Sequence, residues 1–296
     1  MSAEEKFRSG FVAIIGKPNV GKSTIMNKMI GQDISIVTPK AQTTRHKIRG
    51  IANGENYQLI FTDTPGILKP VYKLHERMMQ FVESAFADTD VVLYVIEAGE
   101  KKIDDETILK LKSAKQPIVV AINKIDTSDH TKLEEKVTLL KEKLNPVAFL
   151  PISATENFGL NVLLKQLVNL LPESPPYFEK DALTDRNERF FATEIIREQI
   201  LLSFKQEIPY SVEIAIEEFK DTKNLITIRA DIYAARESQK AIILGNKGES
   251  IKKIGTQSRL KIEKMTGKKV FLELTVKIRE NWRDDDVQLN RFGYGK

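Results

Sequence analysis

Gly16-Lys17-Pro18-Asn19-Val20-Gly21-Lys22-Ser23 puts a lysine and a hydroxyl directly behind a glycine-rich loop. Glycines let backbone N–H groups curl round a polyphosphate, and a helix starting at the loop adds the positive end of its dipole. Lys22 can then reach the β- and γ-phosphates, and the Ser23 hydroxyl can ligate Mg²⁺. Nucleotide contacts are expected from Asn19, Val20, Gly21, Lys22, Ser23 and Thr24. The pattern indicates a nucleoside triphosphate and leaves the base open.

Asn123-Lys124-Ile125-Asp126 reads the base. A carboxylate at Asp126 accepts from both N1–H and the 2-amino group of guanine. Adenine offers neither donor, so a buried, unpaired Asp126 would reject it, by about 10⁴-fold or more in sites of this kind. Asn123 is expected on the other guanine edge, Lys124 against the phosphate loop, and the Ala154 N–H of Ser153-Ala154 on guanine O6. Asp63-Thr64-Pro65-Gly66 supplies a carboxylate for a Mg²⁺-bound water, at Asp63, and an N–H for the γ-phosphate, at Gly66. One of Thr43 and Thr44 should close on Mg²⁺ and the γ-phosphate; Thr44, next to Arg45, is preferred.

Short patterns such as Asn-Lys-x-Asp or Ser-Ala recur by chance. Here their order and context decide. Each follows an apolar run or sits in a connecting loop: Phe11–Ile15 before the phosphate loop, Tyr57–Thr62 before Asp63, Ile118–Ile122 before Asn123, Val147–Ile152 before Ser153. Strands are expected at 11–15, 47–53, 57–62, 90–96, 117–122 and 147–152, with helices at 22–30, 73–87, 104–114, 131–143 and 159–171. Such alternation predicts an α/β domain, a mostly parallel sheet with helices on both faces. Ligands in such sheets bind at the carboxyl ends of the strands, where these motifs fall.

The chain has 296 residues, more than one domain usually needs, and 41% hydrophobic residues, enough for folded cores. No apolar run reaches the ~20 residues of a membrane span. Met1 to Lys6 has no apolar core like a signal peptide's. The absence of cysteine rules out disulfide and thiolate chemistry and fits a reducing cytosol. His46, His75 and His130 are dispersed, so no metal site or His-based triad arises.

Pro172-Glu173-Ser174-Pro175-Pro176 ends the last of these helices. Residues 1–172 therefore read as one domain, 173–185 as a linker and 186–296 as a second domain with a tail. The order there is a helix near 189–205, strands at 211–217 and 225–233, a helix, Gly245-Asn246-Lys247-Gly248, a basic helix to Met265, and a strand at 270–277. Between Arg236 and Arg279 twelve Lys/Arg face four Glu, a local +8 in a chain of net +5. Such local charge points to a polyanion.

This second part resembles a KH domain of type II, an α+β fold whose Gly-x-x-Gly loop admits a single-stranded nucleic-acid backbone. Gly245 and Gly248 would allow the approach, Asn246, Lys247 and Lys252 would meet phosphates, and Ile243, Leu244 and Ile251 would form groove wall. Tyr233, Phe271, Trp282, Phe292 and Tyr294 are read mostly as core or tail anchors; the role of the tail after Trp282 stays open.

Together with Gln42-Thr43-Thr44-Arg45, these motifs make the whole chain resemble the Era family of bacterial GTPases. The resemblance implies a P-loop GTPase domain followed by a KH domain and a GTP/GDP switch. It also implies binding near the 3′ end of small-subunit ribosomal RNA and assistance to 30S subunit assembly in the cytoplasm. Members also associate peripherally with the inner face of the membrane, which nothing in this sequence requires. Lys22, Thr44 and Gly66 would carry catalysis, with Mg²⁺ held by Ser23, Thr44 and Asp63. Ras-like proteins orient water with a glutamine after Asp-x-x-Gly; here Ile67 stands there, so slow intrinsic turnover is expected. Asn19 matches the loop asparagine of potassium-stimulated relatives, which makes K⁺ a candidate; it could equally satisfy loop backbone. Without extended heptads the chain is expected to be a monomer. Two alternatives are a nucleotide-regulated binder with negligible hydrolysis and a membrane-surface GTPase whose basic segment meets anionic lipid.

Overall fold

The computed structural model describes residues 6–100, 104–127 and 130–295. Its contacts divide the chain into two compact units, Met1–Lys69 with Met78–Asp185, and Pro70–Arg77 with Arg186–Lys296. Among the described residues no helix is long and apolar enough to cross a membrane. Of the N-terminal stretch read against a signal peptide, Met1 to Glu5 lie outside the described residues.

In the first unit the elements run β1 (Arg8–Ile15), α1 (Lys22–Ile30), β2 (Ile48–Asn53), β3 (Tyr57–Asp63), α2 (Lys73–Ala87, of which residues up to Arg77 group with the second unit), β4 (Val91–Glu97), α3 (Asp105–Ser113), β5 (Ile118–Asn123), α4 (His130–Leu144), β6 (Ala148–Pro151) and α5 (Leu160–Leu170). The sheet order is β2-β3-β1-β4-β5-β6. Every pairing is parallel except β2 with β3. The central strands are apolar without alternation because helices cover both faces: Val91 to Val95 and Val119 to Ala121 are at most 2% exposed. Parallel strands end on one edge, so the loops after β1, β3, β5 and β6 converge there.

The expected linker is tied down. Ser174 N–H donates to Phe7 O (3.2 Å), Tyr177 and Phe178 N–H to Gln58 Oε1 (2.8 and 2.9 Å), and Ile51 N–H to Leu183 O (2.8 Å). Proline has no backbone donor, so a strip fastened at separate points, by backbone and by the Gln58 side chain, suits this sequence.

The second unit runs α6 (Glu188–Ser203), α7 (Ile208–Ser211), β7 (Val212–Asp221), β8 (Leu225–Ala234), α8 (Glu237–Leu244), α9 (Glu249–Thr266), β9 (Lys269–Ile278) and α10 (Asp286–Arg291). The sheet β7-β8-β9 pairs antiparallel, then parallel. One face buries Ile214, Ile228, Ile232 and Val276 against Ile196 of α6 and Ile254 and Ile262 of α9. β7 outruns its expected end at Glu217 because a bulge between Ile216 and Glu218 resets the alternation.

The tail packs within this unit. Trp282 is fully buried, its Nε1–H donates to Ser211 O (3.1 Å), and its ring meets Phe292 edge-on at 5.7 Å. Tyr294 Oη donates to Glu213 Oε2 (2.7 Å). The charged run also pairs, Asp286 accepting from Lys73 (2.6 Å) and Arg77 (3.0 Å). Of the five aromatics read as anchors, Phe271 alone is exposed, on the sheet face opposite Leu272.

Candidate nucleotide site and nucleic-acid groove

A cavity of about 550 Å³ opens on the edge where the strand ends converge. Its floor is the phosphate loop, its far end Asn123, Lys124, Asp126 and Ala154, and its roof the loop Ile36–Thr44 with Gly66. Asn19, Gly21, Lys22, Ser23 and Thr24 line it as expected. Val20 sits beneath, in the core, and Asp63 and Ser153 are buried behind the lining.

Lys22 is sunk in the loop, donating to Gly16 O (3.1 Å) and Lys17 O (2.8 Å). Burial pulls its ammonium down to a pKa of about 8, against a smaller upward pull from Asp63. Burial raises the Asp63 carboxyl, while Lys22 and hydrogen bonds from Ser23 and Thr44 oppose the rise. Ser23 Oγ donates to Asp63 Oδ2 (2.6 Å) and lies 3.0 Å from Thr44 Oγ1. These three oxygens, with a buried and unpartnered Asp63 Oδ1 beside them, are the hard donors a magnesium ion takes. Thr43 is turned away, bonded to Thr38 Oγ1 and Lys40 O (2.7 Å each).

Gly66 lies against the phosphate loop. A Cβ there would stand 2.5 Å from Pro18 N and 2.6 Å from Pro18 Cα, and backbone cannot yield cheaply. Gly66→Ala should therefore lift the Asp63–Gly66 segment. GTP hydrolysis is expected to drop about tenfold or more, by misplacing one donor, while GDP affinity holds. Single-turnover hydrolysis and GDP titration check this; a matched loss in both would make Gly66 merely structural.

At the end expected to take the base, the residues also hold loops together. Asn123 Nδ2 donates to Val20 O (2.8 Å) and its Oδ1 accepts from Ala154 N–H (3.0 Å). Asn123 thus ties three loops, and the Ala154 N–H expected on guanine O6 is already engaged. Lys124, expected against the phosphate loop, donates to Glu97 Oε2 (2.9 Å). Asp126, expected to be buried, is exposed on a 3₁₀ turn over Ile125–Thr127, and a seated base would be what removes water from it. Sequence reasoning missed the Ile36–Pro39 part of the roof, which carries no periodicity, and Thr155, which directly follows Ser153-Ala154 and also lines the cavity.

In the second unit a groove of about 290 Å³ runs between α9 and β9, lined by Ile251, Lys252, Gly255, Arg259, Leu272 and Leu274. The turn between α8 and α9 exposes Asn246 and Lys247, with φ of +72° at Gly245, +48° at Lys247 and +81° at Gly248. Ile243 is a correction: it is fully buried in the core. Gln239 and Ile243, one helical turn apart, are the inward positions of α8. Leu272 and Leu274 take the wall position.

A parallel sheet with a phosphate loop, a hydroxyl–carboxylate cluster and a carboxylate at the base end defines a P-loop GTPase, here joined to a KH fold. The family model for 50S ribosome-binding GTPases matches residues 11–124, and that for KH domains residues 207–283. The chain is 43% identical to GTPase Era of Caldicellulosiruptor saccharolyticus over 97% of its own length and 98% of that protein. It is 41% identical to GTPase Era of Carboxydothermus hydrogenoformans over the same shares. The chain belongs to the Era family of GTPases. Its fold matches a crystal structure of an Aquifex aeolicus Era variant bound to GDP·AlF₄⁻ with a TM-score of 0.93 and 36% identity, over 98% of this chain and 100% of that one. The match has the same TM-score, identity and shares for Era in complex with MgGDPNP and nucleotides 1506–1542 of 16S ribosomal RNA.

Proposed function

We propose that this GTPase is a nucleotide-controlled binder of single-stranded RNA from the 3′ end of small-subunit ribosomal RNA, acting in assembly of the small ribosomal subunit. The observation that carries the reading is one chain holding both the hydroxyl–carboxylate cluster and a Gly-x-x-Gly turn beside an apolar, cation-flanked groove. The relative solved with MgGDPNP and 16S ribosomal RNA supports it. The GTPase module is assigned to 1–172, the connection to 173–185 and the RNA-binding module to 186–296.

GTP would lie with its phosphates on Asn19–Thr24 and its base on Asp126. Ser23, Thr44 and Asp63 would hold Mg²⁺, which when bound offsets charge on the β- and γ-phosphate oxygens. Lys22 neutralises the same oxygens from the protein side, and Gly66 N–H donates to the γ-phosphate. Ile67 can neither orient nor deprotonate water, so hydrolysis rests on positioning and stays below about 1 s⁻¹ without an activator. Asn19 Nδ2 donates to Pro39 O (3.1 Å), so the side chain serves loop backbone through its nitrogen, and Oδ1 is the atom that a K⁺ would take. The apolar side of α9 is spent on the core at Ile254 and Ile262, which favours RNA over lipid as the basic segment's partner. The chain is read as a monomer, and its membrane association as peripheral.

Labelled RNA from the small-subunit 3′ end should bind with a non-hydrolysable GTP analogue and more weakly with GDP at the same salt. Equal affinity in the two states would remove the switch, and no binding in either would remove the RNA reading. Lys247→Ala should weaken binding about three- to tenfold and flatten the salt dependence by ~0.7 in log–log slope, one phosphate contact on a single strand.

A further inference from the structure

We propose that Glu97 and Glu100 are positioning residues that set how long the nucleotide stays bound, by gripping one lysine from each end of its site. This rests on the guanine-nucleotide reading above. The two carboxylates share a tight turn after β4, closed by Glu100 N–H donating to Glu97 O (3.0 Å). Glu97 stands opposite Asn123 in the β4–β5 register, and Ala98 N–H donates to Asn123 O (2.9 Å), so the strand ends carry on as a pair. From this footing Glu97 Oε2 takes the ammonium of Lys124 at 2.9 Å. Lys124 has a left-handed backbone, φ +62°, a strained conformation for a lysine that surrounding contacts must hold.

Glu100 reaches the other way. Its Oε1 lies 2.5 Å from the ammonium of Lys17, the second residue of the phosphate loop. The Glu100 side chain is only 11% exposed, so this pair is less screened than a surface ion pair. Lys17 O is in turn an acceptor for Lys22 Nζ, at 2.8 Å. One turn thus braces the backbone under the phosphates and the backbone beside the base. A nucleotide spanning both leaves when either loosens, and two braces on one rigid turn oppose loosening at both ends.

The long-range field of two carboxylates works against an anionic triphosphate. Removing their charge should tighten nucleotide binding if field alone matters and weaken it if they position, so the two accounts differ in sign. Glu100→Gln is expected to speed GDP dissociation about tenfold, and Glu97→Gln, whose pair is more exposed, a few-fold. Hydrolysis of already bound GTP in a single turnover should stay within about twofold, so the change lies in nucleotide retention and not in the chemical step. Lys17→Met should be no worse combined with Glu100→Gln than alone, the signature of one shared contact. Stopped-flow release of a fluorescent GDP analogue reads all of this, and melting curves verify folding. Unchanged or slower release, or additive Lys17 and Glu100 effects, would overturn the proposal. Failure of the unsubstituted protein to bind GDP would instead overturn the reading it rests on.

Discussion

Asp126→Asn is expected to turn a GTP-selective protein into one that prefers xanthosine triphosphate. Guanine presents two adjacent donors, N1–H and the 2-amino group, and a carboxylate presents two acceptors. An amide keeps one acceptor and sets its NH₂ against a guanine donor. Xanthine has N1–H beside a carbonyl at C2, which matches that amide. Two hydrogen bonds to a charged group are worth roughly 1.5–3 kcal/mol each, so GTP affinity should fall about 10²- to 10⁴-fold. Asp126 is exposed on its turn, so the substitution should leave folding untouched. Competition of both triphosphates against a labelled GDP checks the inversion; an unchanged ratio would take Asp126 out of base recognition.

Lys22→Met should separate stability from function. The lysine's folded pKa, about 8, lies below its ordinary 10.5 because burial penalises the ammonium. At pH 7 the group is charged in both folded and unfolded chains, so the folded state bears the whole penalty. As pH rises from about 8 towards 10.5 the folded protein sheds the proton before the unfolded chain does, and stability should climb. The shift corresponds to about 3 kcal/mol. Methionine keeps the length and removes the charge, but it also takes a cation from buried Asp63. A net gain of about 1–2 kcal/mol at pH 7 is therefore expected for protein stripped of nucleotide, together with loss of the upward pH slope. Hydrolysis should fall by about 10³-fold, since in the proposed site the cation expected at the β- and γ-phosphate oxygens would be gone. Denaturant melts at pH 7 and pH 9.5 decide it; a methionine variant less stable at pH 7 would show that the buried lysine supports the fold.

The phosphate loop, Asp63–Gly66 and Asn123–Asp126 were legible because each stands at the end of a strand buried on both faces. An unbroken apolar run such as Ile118–Ile122 marks its own end, and the parallel sheet brings such ends together. What lies between them was not legible. Asn123 looks like a base reader, and only the fold shows its amide also tying two neighbouring loops. Glu97 and Glu100 belong to no motif and matter through a turn closed in three dimensions. Ala241-Ile242-Ile243-Leu244 is apolar on every side, so periodicity could not tell that Ile243 faces the core and Ile242 solvent. In the tail, the charged run Arg283 to Asp286 left the role open, while the flanking Trp282, Phe292 and Tyr294 are buried.

Trp282 is the protein's sole tryptophan, fully shielded from water and hydrogen-bonded through its indole nitrogen. Light absorbed at the red edge of the protein spectrum is therefore emitted from the second unit alone, at wavelengths shorter than those of a hydrated indole. A fluorescence melt follows that unit while far-ultraviolet dichroism follows both. Any gap between the two curves measures directly whether the GTPase and KH halves unfold as one cooperative body or as two.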